Sequence, residues 1–409
     1  MKFCQFALTS CIVAAFGLAA TGARADIYST GTLLVTDYGL SQLDRYSYTW
    51  DQTTNAMTFT NDGLNSSSTT AVLFSNSTYP VKEGVQGTNN DLILVSGAKG
   101  SSHTVLSRFT SNGAFVSSIS VDFSAYNGGN TGIGNVAITA DGKYVYAPLS
   151  SANAIVKIDL ATGNIVASYD FQAAHDVAID PITGDIYAAN YTGSTPKVIV
   201  LDSNLNYKQD LISKTIGNVP SDVGVFRPTG LSVASDGSLY VDINNGNSIS
   251  VDGPDSVVHY DISGTSTLTA TVDPNTDTSY IGSSTNNALE FTFGNNIGPD
   301  GRIYIAALGG GGTDRFGVTN GYTDGIYALD PTTGLVSLVI AGATEDGGTA
   351  TAGASGLDAP KYLQFSSNFV PASDPGYTVP EPSTIGLSLT ALAGLAAIRR
   401  NTRRPAGKI

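Results

Sequence analysis

The 409-residue chain is predicted to be all-β, built from repeated four-stranded antiparallel units, and three observations predict it. A short strand pattern recurs six times, tight glycine-bearing turns enter several of the copies, and the intervening loops are rich in glycine, serine, threonine and asparagine. The copies are Thr32–Asp37, Leu92–Gly97, Tyr144–Leu149, Asp185–Asn190, Ser238–Ile243 and Arg302–Ala307, with starts 41 to 64 residues apart. The turns Asp141-Gly142, Thr183-Gly184, Asp236-Gly237 and Asp300-Gly301 supply the positive φ that a tight hairpin needs.

Each complete copy extends the same way on both sides. A strand precedes the turn at Asn135–Thr139, Asp176–Asp180 and Gly230–Ala234. A strand ending near an aspartate follows at Ile155–Asp159, Val198–Asp202, Val257–Asp261 and Ile326–Asp330, and a last strand at Asn164–Ser168 or Leu335–Val339 completes the unit. Four antiparallel strands per unit is the make-up of a propeller blade. The pattern resembles the NHL and YVTN-type β-propellers over residues 26–369. Ala359–Phe365 reads as a first strand with no blade after it, and Gly31–Thr36 as a second strand with none before it. A ring with open sheet edges would recruit other chains, so these two strands are expected to pair and close a six-bladed propeller. A seven-blade division of the interval from Ser238 to Arg302 stays open, as does a stacked sandwich.

The two ends point outward from the cytoplasm. Lys2 precedes an apolar run from Cys11 to Ala20, and Ala23-Arg24-Ala25 offers small residues at alternate positions, so residues 1–25 read as a helical signal peptide cleaved before Asp26. Residues 370–378, with Pro371 and Pro375, read as an extended linker. Residues 379–409 begin Val379-Pro380-Glu381-Pro382-Ser383, continue through an uncharged stretch from Thr384 to Ile398, and end on Arg399, Arg400, Arg403, Arg404 and Lys408. That stretch is shorter than the roughly 20 residues of a spanning helix, but arginines hold such an end on the cytoplasmic side. The tripeptide, apolar helix and basic tail together resemble the PEP-CTERM sorting signal of exosortase substrates in Gram-negative bacteria. The resemblance implies cleavage by an integral membrane exosortase after a transient inner-membrane stage. The body would then be left at the cell surface or in an exopolysaccharide matrix. An ordinary single-pass anchor is the alternative. The partners implied are signal peptidase and exosortase during processing, then extracellular polysaccharide or surface proteins.

Composition narrows the chemistry. Both cysteines, Cys4 and Cys11, fall in the signal peptide, so the mature chain is expected to have no disulfide, zinc-thiolate site or cysteine nucleophile. Residues 1–25 and 399–409 hold seven of the 20 cations and none of the 34 acids, leaving the rest of the chain with a net charge of −21 that repels nucleic acid. Such a surface suits solubility, weak divalent-cation binding or contact with neutral sugars.

Residues just before each first strand are expected at the propeller mouth: Glu83, Asn135, His175 with Asp176, Arg227, Asn287 with Glu290, and Asp358 with Lys361. Mixed polar groups there could hold a small polar ligand. Glu83, Asn135, Asn287 and Asp358 are of the residue types with which gluconolactonase-like propellers hold a divalent metal; ordinary loop-start polar residues are the alternative. His175 would need a serine or carboxylate partner for acid–base work, and Asp176 is expected on the opposite strand face. Asp273-Pro-Asn275-Thr-Asp277 opens like a calcium loop but has Thr278 and Ser284 where glycine and an acid belong. No Walker loop, nucleophile elbow or His-Glu-x-x-His run occurs. The expectation is therefore a non-enzymatic binding or matrix protein without a catalytic residue or required cofactor. Ca2+ or another divalent cation belongs to the alternative, a periplasmic or secreted hydrolase or lyase with a metal at the ring centre.

Overall fold

The computed structural model describes residues 28–37, 42–61, 72–75, 81–88, 91–96, 103–110, 115–127, 132–191, 195–220, 226–244, 256–261, 266–271, 292–307, 323–345, 350–351, 360–365 and 370–371. The expected signal helix and apolar C-terminal helix, the sorting signal, Asn287, Asp358 and the segment 273–284 lie outside these residues. Among the described residues there are 27 β-strands and no α-helix.

The strands form six antiparallel sheets that follow one another along the chain. The first joins β1 (Tyr28–Asp37), β2 (Gln42–Asp51) and β3 (Ala56–Asn61), with β4 (Val72–Ser75) also on β2. The second runs β5 (Val81–Thr88), β6 (Asp91–Ser96), β7 (His103–Thr110), β8 (Phe115–Asp122), and the third β9 (Ala137–Ile138), β10 (Tyr144–Leu149), β11 (Ala154–Asp159), β12 (Ile165–Asp170). The fourth is β13 (Ala174–Ile179), β14 (Ile186–Asn190), β15 (Lys197–Leu201), β16 (Tyr207–Ser213), and the fifth β17 (Pro228–Val233), β18 (Leu239–Ile243), β19 (Ser256–Tyr260), β20 (Ser266–Thr271). The sixth is β21 (Thr292–Ile297), β22 (Ile303–Ala307), β23 (Thr323–Leu329), β24 (Val336–Glu345) and the short β25 (Ala350–Thr351).

The C-terminal strand β26 (Pro360–Phe365) does not start a seventh sheet. It pairs antiparallel with β1, from Leu33 opposite Phe365 to Thr36 opposite Tyr362, and becomes the first strand of the first sheet. Thr36 Oγ1 accepts the Tyr362 N–H at 3.0 Å. β27 (Val370–Pro371) adds two more pairs, on Ser29 and Thr30, so the sheet takes in the first two residues of the segment expected to be a linker.

First strands of successive sheets touch in order around a ring: β5 and β9, β9 and β13, β13 and β17, β17 and β21, β21 and β26, β26 and β5. The result is a β-propeller-like all-β fold. The core is divided accordingly. Five hydrophobic clusters each join two successive sheets, as where Tyr146 and Ile155 of the third meet Val177, Ile186 and Ala188 of the fourth. Alternate residues of a strand face opposite neighbours, so Val145 and Ala147 of β10 join the cluster on the other side. Both faces are thus buried, which is why the second strands read as almost unbroken apolar runs. Each isoleucine or leucine buried this way stabilises the ring by about 1.5–3 kcal/mol. Second-strand tyrosines also tie sheets together through their hydroxyls. Tyr146 donates to the Ser203 carbonyl of the next sheet at 2.7 Å, and Tyr304 to Met57 Sδ at 3.1 Å.

The turns consume many of the acids. Asp141, Asp159, Asp180, Asp202 and Asp330 each use Oδ1 to accept the N–H two residues on, at 2.8 to 3.1 Å. These are Asx turns, in which the carboxylate imitates a backbone carbonyl and ends the preceding strand. Five of the 34 acids are therefore turn chemistry.

Candidate functional site at the ring centre

The first strand of every sheet carries one extra residue at the same place. Val81 pairs with Ser96 and Glu83 with Val95, leaving Lys82 unmatched, and Ala174 pairs with Asn190 and Asp176 with Ala189, leaving His175. The same irregularity leaves out Thr229, Phe293 and Lys361 in the fifth, sixth and first sheets. In the third it falls between the Ile133–Leu149 bridge and the Ala137–Tyr146 pair, where Gly134 N–H bonds the Pro148 carbonyl. A bulge bends its strand and re-aims the residues beside it, and such features gather at barrel rims and sites. One layer further in stand Glu83, Asn135, Asp176, Gly230, Gly294 and Tyr362, one per sheet.

The sheets come so close in these layers that side chains must be omitted. A Cβ on Gly134 would sit 1.9 Å from the His175 carbonyl oxygen, and one on Gly294 2.9 Å from the Lys361 carbonyl oxygen. At Gly230 a Cβ would meet Asp242 Oδ2 at 2.6 Å. Asp242 is the residue opposite Gly230 in β18, so the missing side chain opens the space that this carboxylate fills. The corresponding second-strand residues elsewhere are Pro148, Ala189, Ala306 and Thr36.

Two wholly buried carboxylates therefore flank one short stretch of β17. Asp176 Oδ2 accepts the Leu231 N–H at 2.7 Å, and Asp242 Oδ1 accepts from Asn295 Nδ2 at 2.7 Å. Leu231 belongs to a first strand, whose inner edge has no neighbour in its own sheet, and the carboxylate of the preceding sheet satisfies that edge. Burial pushes the Asp176 carboxyl well above the usual range; the Leu231 N–H, the Asn135 side chain and the Val177 N–H pull it down, and the Asp242 charge raises it. Asp176 Oδ1, Asn135 Oδ1 and Asn295 Oδ1 are buried and have no hydrogen-bond partner.

His175 is 7 % exposed, and its Nδ1–H donates to the Thr229 carbonyl at 2.8 Å. Its ring lies edge-on to Tyr191 with centroids 4.8 Å apart. Burial, reinforced by the nearby Lys361 charge and opposed by the bond to Thr229, holds its pKa down to about 3. At neutral pH it is an uncharged wall residue that joins two bulges.

Past this layer a cavity of about 390 Å³ opens along the ring centre. Its polar side chains are Asn135, Ser232, Asn295, Asn296 and Gln364, set in an aliphatic wall that includes Ile138, Val177, Ile179, Leu231 and Ile297. Asn296 Nδ2 donates to Gln364 Oε1 at 3.0 Å across the sixth and first sheets.

Of the mouth residues expected from sequence, Asn135 lines this cavity and His175 is sealed in the wall beside it. Arg227 precedes β17, where its carbonyl accepts the Asn244 N–H at 2.9 Å. Glu83 lies in β5 opposite Val95. Asp242 and Asn295 were not among the expected residues, although an aspartate inside the strand Leu239-Tyr-Val-Asp-Ile243 is itself a signal. Among the described residues no three His, Cys, Asp or Glu side chains gather as a metal-binding group.

No protein-family model matches the sequence, and no curated protein does. Solved structures resemble it in fold. A chain of the nidogen/laminin complex is 9 % identical with a TM-score of 0.47, over 83 % of this chain and 100 % of that one. A protein from Lactobacillus plantarum is 13 % identical with a TM-score of 0.47, over 82 % and 99 %. The periplasmic gluconolactonase of Pseudomonas aeruginosa is 13 % identical with a TM-score of 0.44, over 83 % and 99 %. No residue role in this chain follows from them.

Proposed function

We propose that the chain is an exported six-bladed propeller that binds a neutral, hydroxyl-rich small molecule, such as a sugar unit of an extracellular polysaccharide, in its central cavity. The observation that carries this reading is the cavity lining, whose polar side chains are four amides and one hydroxyl on an aliphatic wall. Amides donate and accept at once and so match sugar hydroxyls without a charge to desolvate, and about 390 Å³ lies within the ~300–1,000 Å³ range of ligand pockets. The sealed, uncharged His175 favours binding over acid–base catalysis at this wall.

Destination is the second half of the proposal: the segment from Val379 to Arg404 serves as a sorting signal for exosortase, and signal peptidase acts before Asp26. A glycan array with the secreted protein, followed by calorimetry on each hit, tests the binding half. Asn296→Ala and Gln364→Ala should each weaken a true hit, and equal affinity in wild type and both variants would remove the cavity from the account. Deleting Pro380–Pro382 should leave the chain uncleaved in the membrane; unchanged release would refute the sorting half. The competing reading, a metal-dependent hydrolase, requires turnover of a lactone or ester panel that is lost in Glu83→Ala.

A further inference from the structure

Among the described residues, the layer just inside the bulges holds buried oxygen acceptors that no donor reaches. Asp176 Oδ1, Asn135 Oδ1 and Asn295 Oδ1 are buried without a hydrogen-bond partner, in side chains that converge on the two carboxylates. The amide of Asn295 is oriented by donating its Nδ2 to Asp242 Oδ1, which leaves its oxygen as the free acceptor. Asp176 and Asp242 are both 0 % exposed and meet the same stretch of β17, one at the Leu231 N–H and the other over the Cα of Gly230. Two buried carboxylates in one layer repel each other, and partnerless buried oxygens are individually unfavourable. A cation among them relieves both defects at once.

We propose that Asn135, Asp176, Asp242 and Asn295 form a cation site of the calcium class at the ring centre. The donor set is oxygen only, which selects a hard cation over zinc or copper. Two carboxylates balance a 2+ charge, and two amide oxygens with water from the adjoining cavity fill out the six to eight oxygens that calcium takes. Magnesium is disfavoured because it demands near-ideal octahedral geometry, whereas these ligands come from four different sheets. The site is independent of the sugar-binding reading, since no ligand in the cavity is needed to hold the ion.

The test uses the full-length secreted protein stripped with EDTA. Calcium chloride is titrated by calorimetry and by thermal melting, up to ~10 mM, above the ~10⁻⁴–10⁻³ M range of extracellular calcium modules. Wild type should bind one calcium and melt higher with it, and magnesium chloride at the same ionic strength should have little effect. Asp176→Asn and Asp242→Asn, which preserve shape, should each lose the calcium response, while Asp330→Asn in an outer turn should retain it. If the Asp→Asn variants do not fold, Asn295→Asp decides, because an added carboxylate should tighten calcium binding. No calcium response in wild type, an equal response in the Asp176 and Asp242 variants, or weaker binding by folded Asn295→Asp would each overturn the proposal. A calcium response with no sugar binding leaves the site standing and removes only the cavity reading.

Discussion

His175 makes the stability of the ring dependent on pH in a way that can be calculated. Its side chain is buried and uncharged in the folded chain with a pKa near 3, and in the unfolded chain it returns to 6.5. Between these values the unfolded chain takes up a proton that the folded chain refuses. The contribution of His175 is therefore fully present above pH 6.5 and is lost as the pH falls toward 3. For these two pKa values, lowering the pH from about 7.5 to about 4.5 removes about 2–3 kcal/mol. Urea denaturation of wild type and His175→Gln, in EDTA at both pH values, measures it. Other titrating groups cancel in the comparison, and any fixed loss from the substitution changes the intercept alone. The wild type should lose about 2–3 kcal/mol more than the variant over this interval. Equal losses would show that the imidazole is solvated or protonated in the folded chain and would refute a sealed, neutral His175.

Three further outcomes follow from packing. Gly134→Ala sets a methyl against the His175 carbonyl of the next sheet, a backbone atom that cannot swing aside, and should lower stability by at least about 1–3 kcal/mol in urea titrations. Leu363→Ala empties a buried position in the strand that closes the ring and should lower stability by about 2.7–5 kcal/mol, read by the same method. Asp180→Ala removes the acceptor for the Ile182 and Thr183 N–H groups and should cost about 1 kcal/mol, most of it recovered by Asp180→Asn.

The second strands could be located from sequence almost to the residue. Tyr144–Leu149 is the same span in both, and Asp185–Asn190 begins one residue ahead of β14. They are legible because both faces are buried and four of the six are entered through a glycine turn, so apolar run and turn coincide. The pairing of the C-terminal strand with β1 was legible for a different reason: each partial unit lacked what the other carried. The bulges were not legible, because an extra residue shows only against the register of its partner strand. His175 and Asp176 look like neighbours on opposite faces of a strand. The bulge instead turns His175 to the Thr229 carbonyl while Asp176 reaches the Leu231 N–H. Asp242 was hidden similarly, since its place near the centre depends on a glycine twelve positions earlier in sequence.

The closing strand also has a consequence in time. Thr36 and Tyr362 bond across 326 positions of chain, so the first sheet stays incomplete until nearly the whole body has been made. Until then β1 presents an unpaired edge, and a contact of such separation is slow to form. A chain cut short before Pro360 would keep that edge open and be prone to aggregation or proteolysis, whereas an intact chain completes its ring a few residues before Val379. Ring closure thus requires the body to have been made almost to its end, just ahead of the segment proposed above as a sorting signal.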